Sequence, residues 1–320
     1  MKNNAIYYSV GALLYCPANK KTLADSIINE KFGTNYSLAL CLEDTINDNF
    51  VTEAETDLIN SIQQIYVASQ QQNFYLPKIF IRVRYSEQIV RLTKAFGQAI
   101  HIIAGFIAPK FSTDNNTAYI QEIIKANEIC DKKLYMMPIY ESATIIDPKT
   151  RIDLLHELKD SISPIEELIL NIRVGGNDLC HAFGFRRHSD ETIHQILPIS
   201  NIFSDLIAVY GRDYIVSGPV WEYYSGDNWE KGLIQEIKGD KLCGFTGKTV
   251  IHPNQIPVVN NAYKVSRADF NDAQAVLNWN NQSNSMVSGS SSKERMNEYK
   301  THFNWAQQII YLAETFGIQE

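Results

Sequence analysis

Eight short apolar runs recur along the chain, at 8–15, 37–42, 78–84, 105–108, 134–139, 168–174, 214–217 and 248–251. Most are rich in Ile, Val, Leu or aromatic residues, as strands buried on both faces are. Longer segments of helical periodicity lie between them. In 53–69, Leu58, Ile62 and Ile65 share a stripe with Ile59 and Tyr66, and Thr52 and Glu55 stand at capping-box spacing before it. Residues 116–130 place Ile120, Ile123, Ile124 and Ala126 in the same way. Asp147-Pro148 has the form of a helix start, and Ile152, Leu155, Leu158 and Ile162 follow at helical spacing. Strand and helix alternating in this way predict an α/β fold with a parallel sheet, and eight such units favour closure into a (β/α)8 TIM barrel. No Gly-x-Gly-x-x-Gly follows the first strand and no phosphate-loop motif occurs, which counts against an open dinucleotide-binding sheet.

After residue 260 the pattern changes. A barrel catalytic domain is expected over 1–263 and a C-terminal helical extension over 264–320. The extension reads as helices at 269–281 and 293–316 joined by a flexible Ser/Gly-rich linker near 283–292. A helix on such a tether suits a lid or an arm reaching a neighbouring subunit; the other reading is a terminal helix docked on its own barrel.

Barrel chemistry sits where strands end, and charged residues collect there. Lys20 follows the first run, Glu43-Asp44 the second, and Arg82 and Arg84 lie at the end of the third. Lys110 follows the fourth, Glu141 the fifth, and the sixth runs through Arg173 into Gly175-Gly176-Asn177-Asp178. Glu141 and Asp178 leave consecutive strands, so their carboxylates can converge. Two hard oxygen ligands with open positions suit Mg²⁺, or Mn²⁺; the alternative is that they cap helices or pair with arginines. Lys20, Arg82, Arg84 and Lys110 are candidate contacts to an anionic substrate, with one of the two arginines expected to neutralise Glu43 or Asp44. Arg186-Arg187 reads either as a second anion site for a phosphate or as a solvated basic loop. Trp221-Glu222-Tyr223-Tyr224 lines the pocket or simply packs, and His252, beside Pro253, is expected to fix the last turn.

Composition narrows the partners. The 29 basic and 36 acidic residues give a net charge of −7, which counts against a protein that coats nucleic acid. The apolar stretch 99–109 is interrupted by His101 and Gly105 and falls short of the roughly 18 residues of a membrane span. The histidines show no zinc-enzyme spacing, and the start lacks the layout of a signal peptide. Five scattered cysteines with no Cys-x-x-Cys pair suggest reduced thiols and a cytoplasmic protein.

Seven segments, in order from about residue 14 to 259, resemble the HpcH/HpaI aldolase and citrate lyase beta-subunit family. Leu14-Tyr15-Cys16-Pro17-Ala18-Asn19-Lys20 is similar to its first-strand motif Leu-Phe-Val-Pro-Gly-Asn-Arg. Leu42-Glu43-Asp44, Arg82-Val83-Arg84, Pro109-Lys110, Glu141 and Gly176-Asn177-Asp178-Leu179 follow at matching places. The most specific is Gly244-Phe245-Thr246-Gly247-Lys248-Thr249-Val250-Ile251-His252-Pro253-Asn254-Gln255-Ile256. The departures are Ala18, Lys20, Cys41 and Arg84, and Ser217-Gly218-Pro219-Val220-Trp221 resembles a divergent branch associated with tellurite-resistance-type gene clusters.

The resemblance implies a C–C bond lyase of aldol or Claisen type, in which Mg²⁺ stabilises the enolate of a 2-oxo acid or acyl thioester. It implies Glu141 and Asp178 as the metal ligands, Arg82 on the substrate carboxylate or enolate oxygen, and Glu43 and Asp44 orienting Arg82 and a metal-bound water. Lys20 stands where the family has an arginine. Use of coenzyme A stays open, and a homo-oligomer, with a trimer favoured, is expected. Two other readings are a Mg²⁺ barrel enzyme on a phosphorylated substrate, and a degenerate barrel serving as a binding or scaffold subunit.

Overall fold

The computed structural model describes residues 4–279 and 284–319. Eight strands form one parallel sheet: β1 (Ala12–Pro17), β2 (Ser37–Cys41), β3 (Lys78–Arg82), β4 (Ile103–Ala108), β5 (Tyr135–Tyr140), β6 (Ile172–Val174), β7 (Val216–Ser217) and β8 (Lys248–Val250). Neighbours pair in sequence order from β1 to β7, and β8 returns to pair with β1. A bridge between Gly218 and Lys248, with the Gly218 N–H donating to the Gly247 carbonyl at 3.0 Å, joins β7 to β8 and closes the barrel. The predicted (β/α)8 architecture is the fold.

Strand parity divides the core. Leu14, Leu38, Leu40, Ile79, Ile81, Ile172 and Val250 face the surrounding helices and are at most 2% exposed. Leu13, Ala39, Phe80, Ile107, Met137 and Leu170 fill the interior. Both faces are apolar, which is why these strands read as continuous apolar runs rather than alternating ones. The same parity carries polar residues inward at the carboxyl ends of the strands.

The first run starts later than expected. Gly11, at φ +62°, turns the chain, so the strand begins at Ala12, and the Tyr8 ring lies tilted against that of Tyr311, centres 5.2 Å apart. The helix Val51–Gln71 buries Leu58, Ile62 and Ile65, but Thr52 lies inside it and Phe50 precedes it. Its start is set by a turn at Asn47, whose side chain accepts from the Asn49 N–H at 3.0 Å. Asp147 is likewise not a helix cap. It accepts from the Lys149 N–H at 2.9 Å, and the helix runs Arg151–Ile162, with Leu155, Leu158 and Ile162 buried and Ile152 exposed.

The C-terminal extension holds the helices Arg267–Leu277 and Tyr299–Phe316 packed through Ala273, Val276 and Ala306. Residue 283, at the start of the expected linker, lies outside the described residues. Beyond it, β9 (Val287–Gly289) and β10 (Met296–Glu298) form an antiparallel pair, pinned by Arg295 to Asp269 and Asp272 at 2.7 Å. The last turn of the terminal helix sits at the amino end of the barrel. There Phe316 stacks on Tyr263, ring centres 5.1 Å apart, and Ile318 bridges Val265. No described helix is long and apolar enough to cross a membrane.

Candidate functional site

Acids gather around one guanidinium at the carboxyl rim. Arg82, the last residue of β3, is 8% exposed. Its Nη2 lies 2.7 Å from Glu43 Oε2, 2.9 Å from Asp44 Oδ2 and 3.1 Å from Glu141 Oε1. Lys110 completes the group from the loop after β4. Its ammonium lies 2.7 Å from Glu43 Oε1 and 3.1 Å from Asp44 Oδ1, and its backbone N–H donates to Glu141 Oε1 at 3.1 Å. Lys110 holds φ at +48°, a strained value for a side-chain-bearing residue, and in this conformation it offers both amide and ammonium to the acids.

Asp178 enters from the first turn of the helix Gly176–Phe183, which leaves β6 through Gly175. A cavity of about 270 Å³ opens between these elements and is lined by Tyr15, Arg82, Glu141, Arg173, Asp178 and Thr249, among others. Gly175 is required by space: a Cβ there would lie 2.1 Å from Glu141 Oε2 and 2.3 Å from its Cβ.

The rim is short of positive charge. Among the described residues the ion pairs of Glu43, Asp44 and Glu141 are made to Arg82 and Lys110, and Asp178 makes none, so these six groups carry two negative charges in excess when all are ionised; Arg173, which also lines the cavity, forms no ion pair with them. The imbalance falls on Glu141. Burial pushes its carboxyl up to about 8, against the pull of Arg82, with the charge of Asp178 adding to the rise and the Lys110 amide opposing it. Burial also raises Glu43, opposed by Arg82 and Lys110. Burial works upward on Asp44 too, but its bonds to Glu43 and Lys110 and the charge of Arg82 win, and its pKa is lowered. Burial pulls Arg82 and Lys110 down; their acidic neighbours outweigh it and both are raised, so both stay cationic.

Of the residues singled out from the sequence, Arg82, Glu43, Asp44, Lys110, Glu141 and Asp178 therefore come together. Arg84 does not. Its guanidinium donates to the carbonyls of Leu42 (3.1 Å), Glu43 (2.7 Å) and Ile46 and pairs with Asp48, so its donors hold the loop after β2 rather than face the cavity. Lys20 places its ammonium over the Phe32 ring at 4.8 Å and pairs with none of the rim acids among the described residues. Arg187 is neither a phosphate contact nor solvated. It is 3% exposed, lies 3.0 Å from Glu236 Oε2 and donates to the Val220 carbonyl. Arg186 is the exposed member, loosely paired with Glu222 at 3.6 Å. Trp221 is fully buried against Arg187, and His252 accepts from the Asn254 N–H while stacking on Tyr224. The five cysteines are free thiols.

Tyr15, Arg173 and Thr249 are polar residues of the cavity with no role assigned from the sequence. The available signal was a charge inside a buried strand, since Arg173 sits between Ile172 and Val174, both facing the helices. A larger cavity of about 830 Å³ lies along the helices Trp229–Cys243 and Gln255–Tyr263; it shares no lining residue with the rim cavity and holds no acid pair like that of Glu141 and Asp178.

A family model described as C–C bond lyase of the TIM-barrel fold matches residues 4–318. Among solved structures, the CitE protein of Mycobacterium tuberculosis in complex with magnesium, acetoacetate and coenzyme A is similar at a TM-score of 0.60 and 15% identity, over 96% of this chain and 99% of that one. RipC of Yersinia pestis gives 0.55 and 15% identity, over 82% and 99%. The citrate lyase beta subunit of M. tuberculosis complexed with oxaloacetate and magnesium gives 0.52 and 16%, over 81% and 99%. At these identities the likeness is one of fold. No curated protein matches the chain by sequence.

Proposed function

The chain belongs to the C–C bond lyase family of the TIM-barrel fold and is a carbon–carbon lyase, and from that premise we propose that it acts with Mg²⁺ on a small 2-oxo acid or acyl thioester, breaking or making a C–C bond next to the carbonyl. The observation that carries this reading is the charge deficit at the rim, where Glu141 and Asp178 face the cavity with too few cations to balance them. A divalent cation held by this pair supplies the missing charge.

The donor set suits magnesium. Among the described residues no cluster of three or more His, Cys, Asp or Glu forms a closed metal cage, and Mg²⁺ characteristically takes one or two protein carboxylates and fills its shell from water and substrate. Gly175 lets Glu141 sit against the backbone that leads to Asp178. When bound, the cation supplies Lewis-acid stabilisation of the negative charge that develops on the substrate carbonyl oxygen.

The remaining work falls to the chain. Glu43 and Asp44 fix Arg82 from one side, leaving the rest of its guanidinium, whose Nε has no partner, for a carboxylate or oxyanion in the cavity. Lys110 neutralises the two acids that orient Arg82 and so keeps their charge off the substrate. The cavity is small for a whole cofactor and matches the acid portion of a substrate; any thioester carrier would extend into solvent.

Oxalate, a planar mimic of a pyruvate enolate, tests the reading by calorimetry. It is expected to bind wild-type protein in Mg²⁺ and to be released by EDTA. Absence of binding, with Mg²⁺ itself also not bound, would sink the lyase site and turn the search toward partner proteins. Gly175→Ala is expected to keep the fold by circular dichroism and to weaken Mg²⁺-dependent oxalate binding at least about tenfold, because the added methyl displaces Glu141. Unchanged affinity would show that Glu141 does not need its present position.

A further inference from the structure

Arg173 is a buried cation without a counterion. It lies in the middle of β6, 1% exposed, with its side chain inside the barrel. Among the described residues no carboxylate lies within ion-pair distance of it. Its Nη2 donates to Thr249 Oγ1 on β8 at 2.6 Å, and its Nη1 has no partner. The Tyr15 phenol from β1 lies beside it and opposes the fall in pKa that burial causes. Leaving a guanidinium in this state is costly: an ion taken out of water needs a charge partner and filled hydrogen bonds to offset its desolvation.

That charge borders the rim cavity. Arg173 lines it together with Arg82, Glu141 and Asp178. The rim acids do not serve as its counterion, since Glu141 is taken by Arg82 and the Lys110 amide. A divalent cation at the rim would balance the two excess negative charges there, leaving the positive charge of Arg173 for the ligand. Arg82 and Arg173 thus offer two separate anion contacts, on β3 and β6, either side of Tyr15.

We propose that Arg173, held by Thr249 and flanked by Tyr15, is a second anion subsite that binds a distal carboxylate of the substrate and selects 2-oxo acids carrying two carboxylates over those carrying one. This deepens the reading above and rests on it. A carboxylate fits better than a phosphate: Arg173 has its Nη1 free for an anion, no lysine lines the cavity among the described residues, and the other arginine there, Arg82, is already paired with Glu43, Asp44 and Glu141, so little positive charge is left to balance a dianion.

Calorimetry in Mg²⁺ with oxalate, pyruvate, oxaloacetate and 2-oxoglutarate tests the assignment on wild type, Arg173→Met and Arg173→Lys. Wild type is expected to bind at least one of the two dicarboxylates roughly tenfold to a hundredfold more tightly than pyruvate, the range of a charged hydrogen-bonded contact. Arg173→Met is expected to erase that preference while changing oxalate affinity by less than about threefold, and Arg173→Lys to restore part of it. The melting temperature of ligand-free Arg173→Met is expected to hold or rise, because an unneutralised buried charge has been removed. A preference that survives in Arg173→Met, no preference in wild type, or a collapse of the ligand-free variant would each overturn the subsite. If oxalate fails to bind wild type while an Arg173-dependent dicarboxylate affinity remains, the Mg²⁺ reading falls and the subsite stands.

Discussion

Asp178→Ala is expected to abolish Mg²⁺-dependent oxalate binding, a loss on the order of a thousandfold or more, while leaving the fold intact. The size follows from how little redundancy the rim has. Two carboxylates, Glu141 and Asp178, face the cavity free of a lysine, whereas Glu43 and Asp44 are already committed to Arg82 and Lys110. Without Asp178, Glu141 alone remains, and Arg82 at 3.1 Å competes for it. The ligand-free protein gains from the same change. Asp178 raises the pKa of Glu141 by repulsion, so its removal relieves like-charge strain, and the melting temperature is expected to stay level or climb. Asp178→Asn keeps an oxygen but loses the charge and should fall between the two. Calorimetry against Mg²⁺ and oxalate, with thermal melts in EDTA, reads both effects. Oxalate binding by Asp178→Ala within about threefold of wild type would remove this pair as the metal site; a large drop in melting temperature would recast Asp178 as structural.

Local pattern revealed the barrel but only part of its chemistry, for physical reasons. Strands buried on both faces leave continuous apolar runs, and the residues ending them must sit on one rim once the barrel closes. Glu43, Asp44, Arg82, Lys110, Glu141 and Asp178 were therefore legible as a ring. Which cation pairs with which acid depends on contacts distant in sequence. Arg84 follows Arg82 by two residues, yet lies past the end of β3 and turns onto the loop carbonyls of 42–46. Arg187 looked like a surface base because Glu236, its partner, is 49 positions away. Helix starts failed where a side chain built a turn first, as Asn47 and Asp147 do. Arg173 was visible as a letter but not as an orphan, since a missing partner shows only when every neighbour is in place.

The interior pair network behind β8 carries the largest expected effect on stability. Lys248, the first residue of β8, is fully buried, 2.9 Å from Glu236 Oε1 and 2.7 Å from Asp240 Oδ2 on the helix Trp229–Cys243. Glu236 also binds Arg187 and accepts the Ile193 N–H at 2.8 Å, while Asp240 holds His194 at 2.8 Å. The acids and bases balance only as a group. Lys248→Met removes one cation and leaves Glu236 and Asp240 facing each other out of water, a change that costs about 3–5 kcal/mol in buried pairs. For a chain of 320 residues that corresponds to a fall of roughly 4–8 °C in melting temperature. The loss reaches the rim through closure. Lys248 bridges Gly218 and its backbone N–H donates to the Gly11 carbonyl at 3.0 Å, and its neighbour Thr249 accepts from Arg173. Lys248→Met is therefore expected to weaken dicarboxylate binding as well as to melt early. Glu236→Gln, which keeps the hydrogen-bonding shape and removes one charge, should cost less. Differential scanning calorimetry of the two variants separates these effects. A Lys248→Met melt within about 2 °C of wild type would mean that the two acids find other neutralisation, by protonation or by Arg187 and His194, and that the β7–β8 seam does not depend on the lysine.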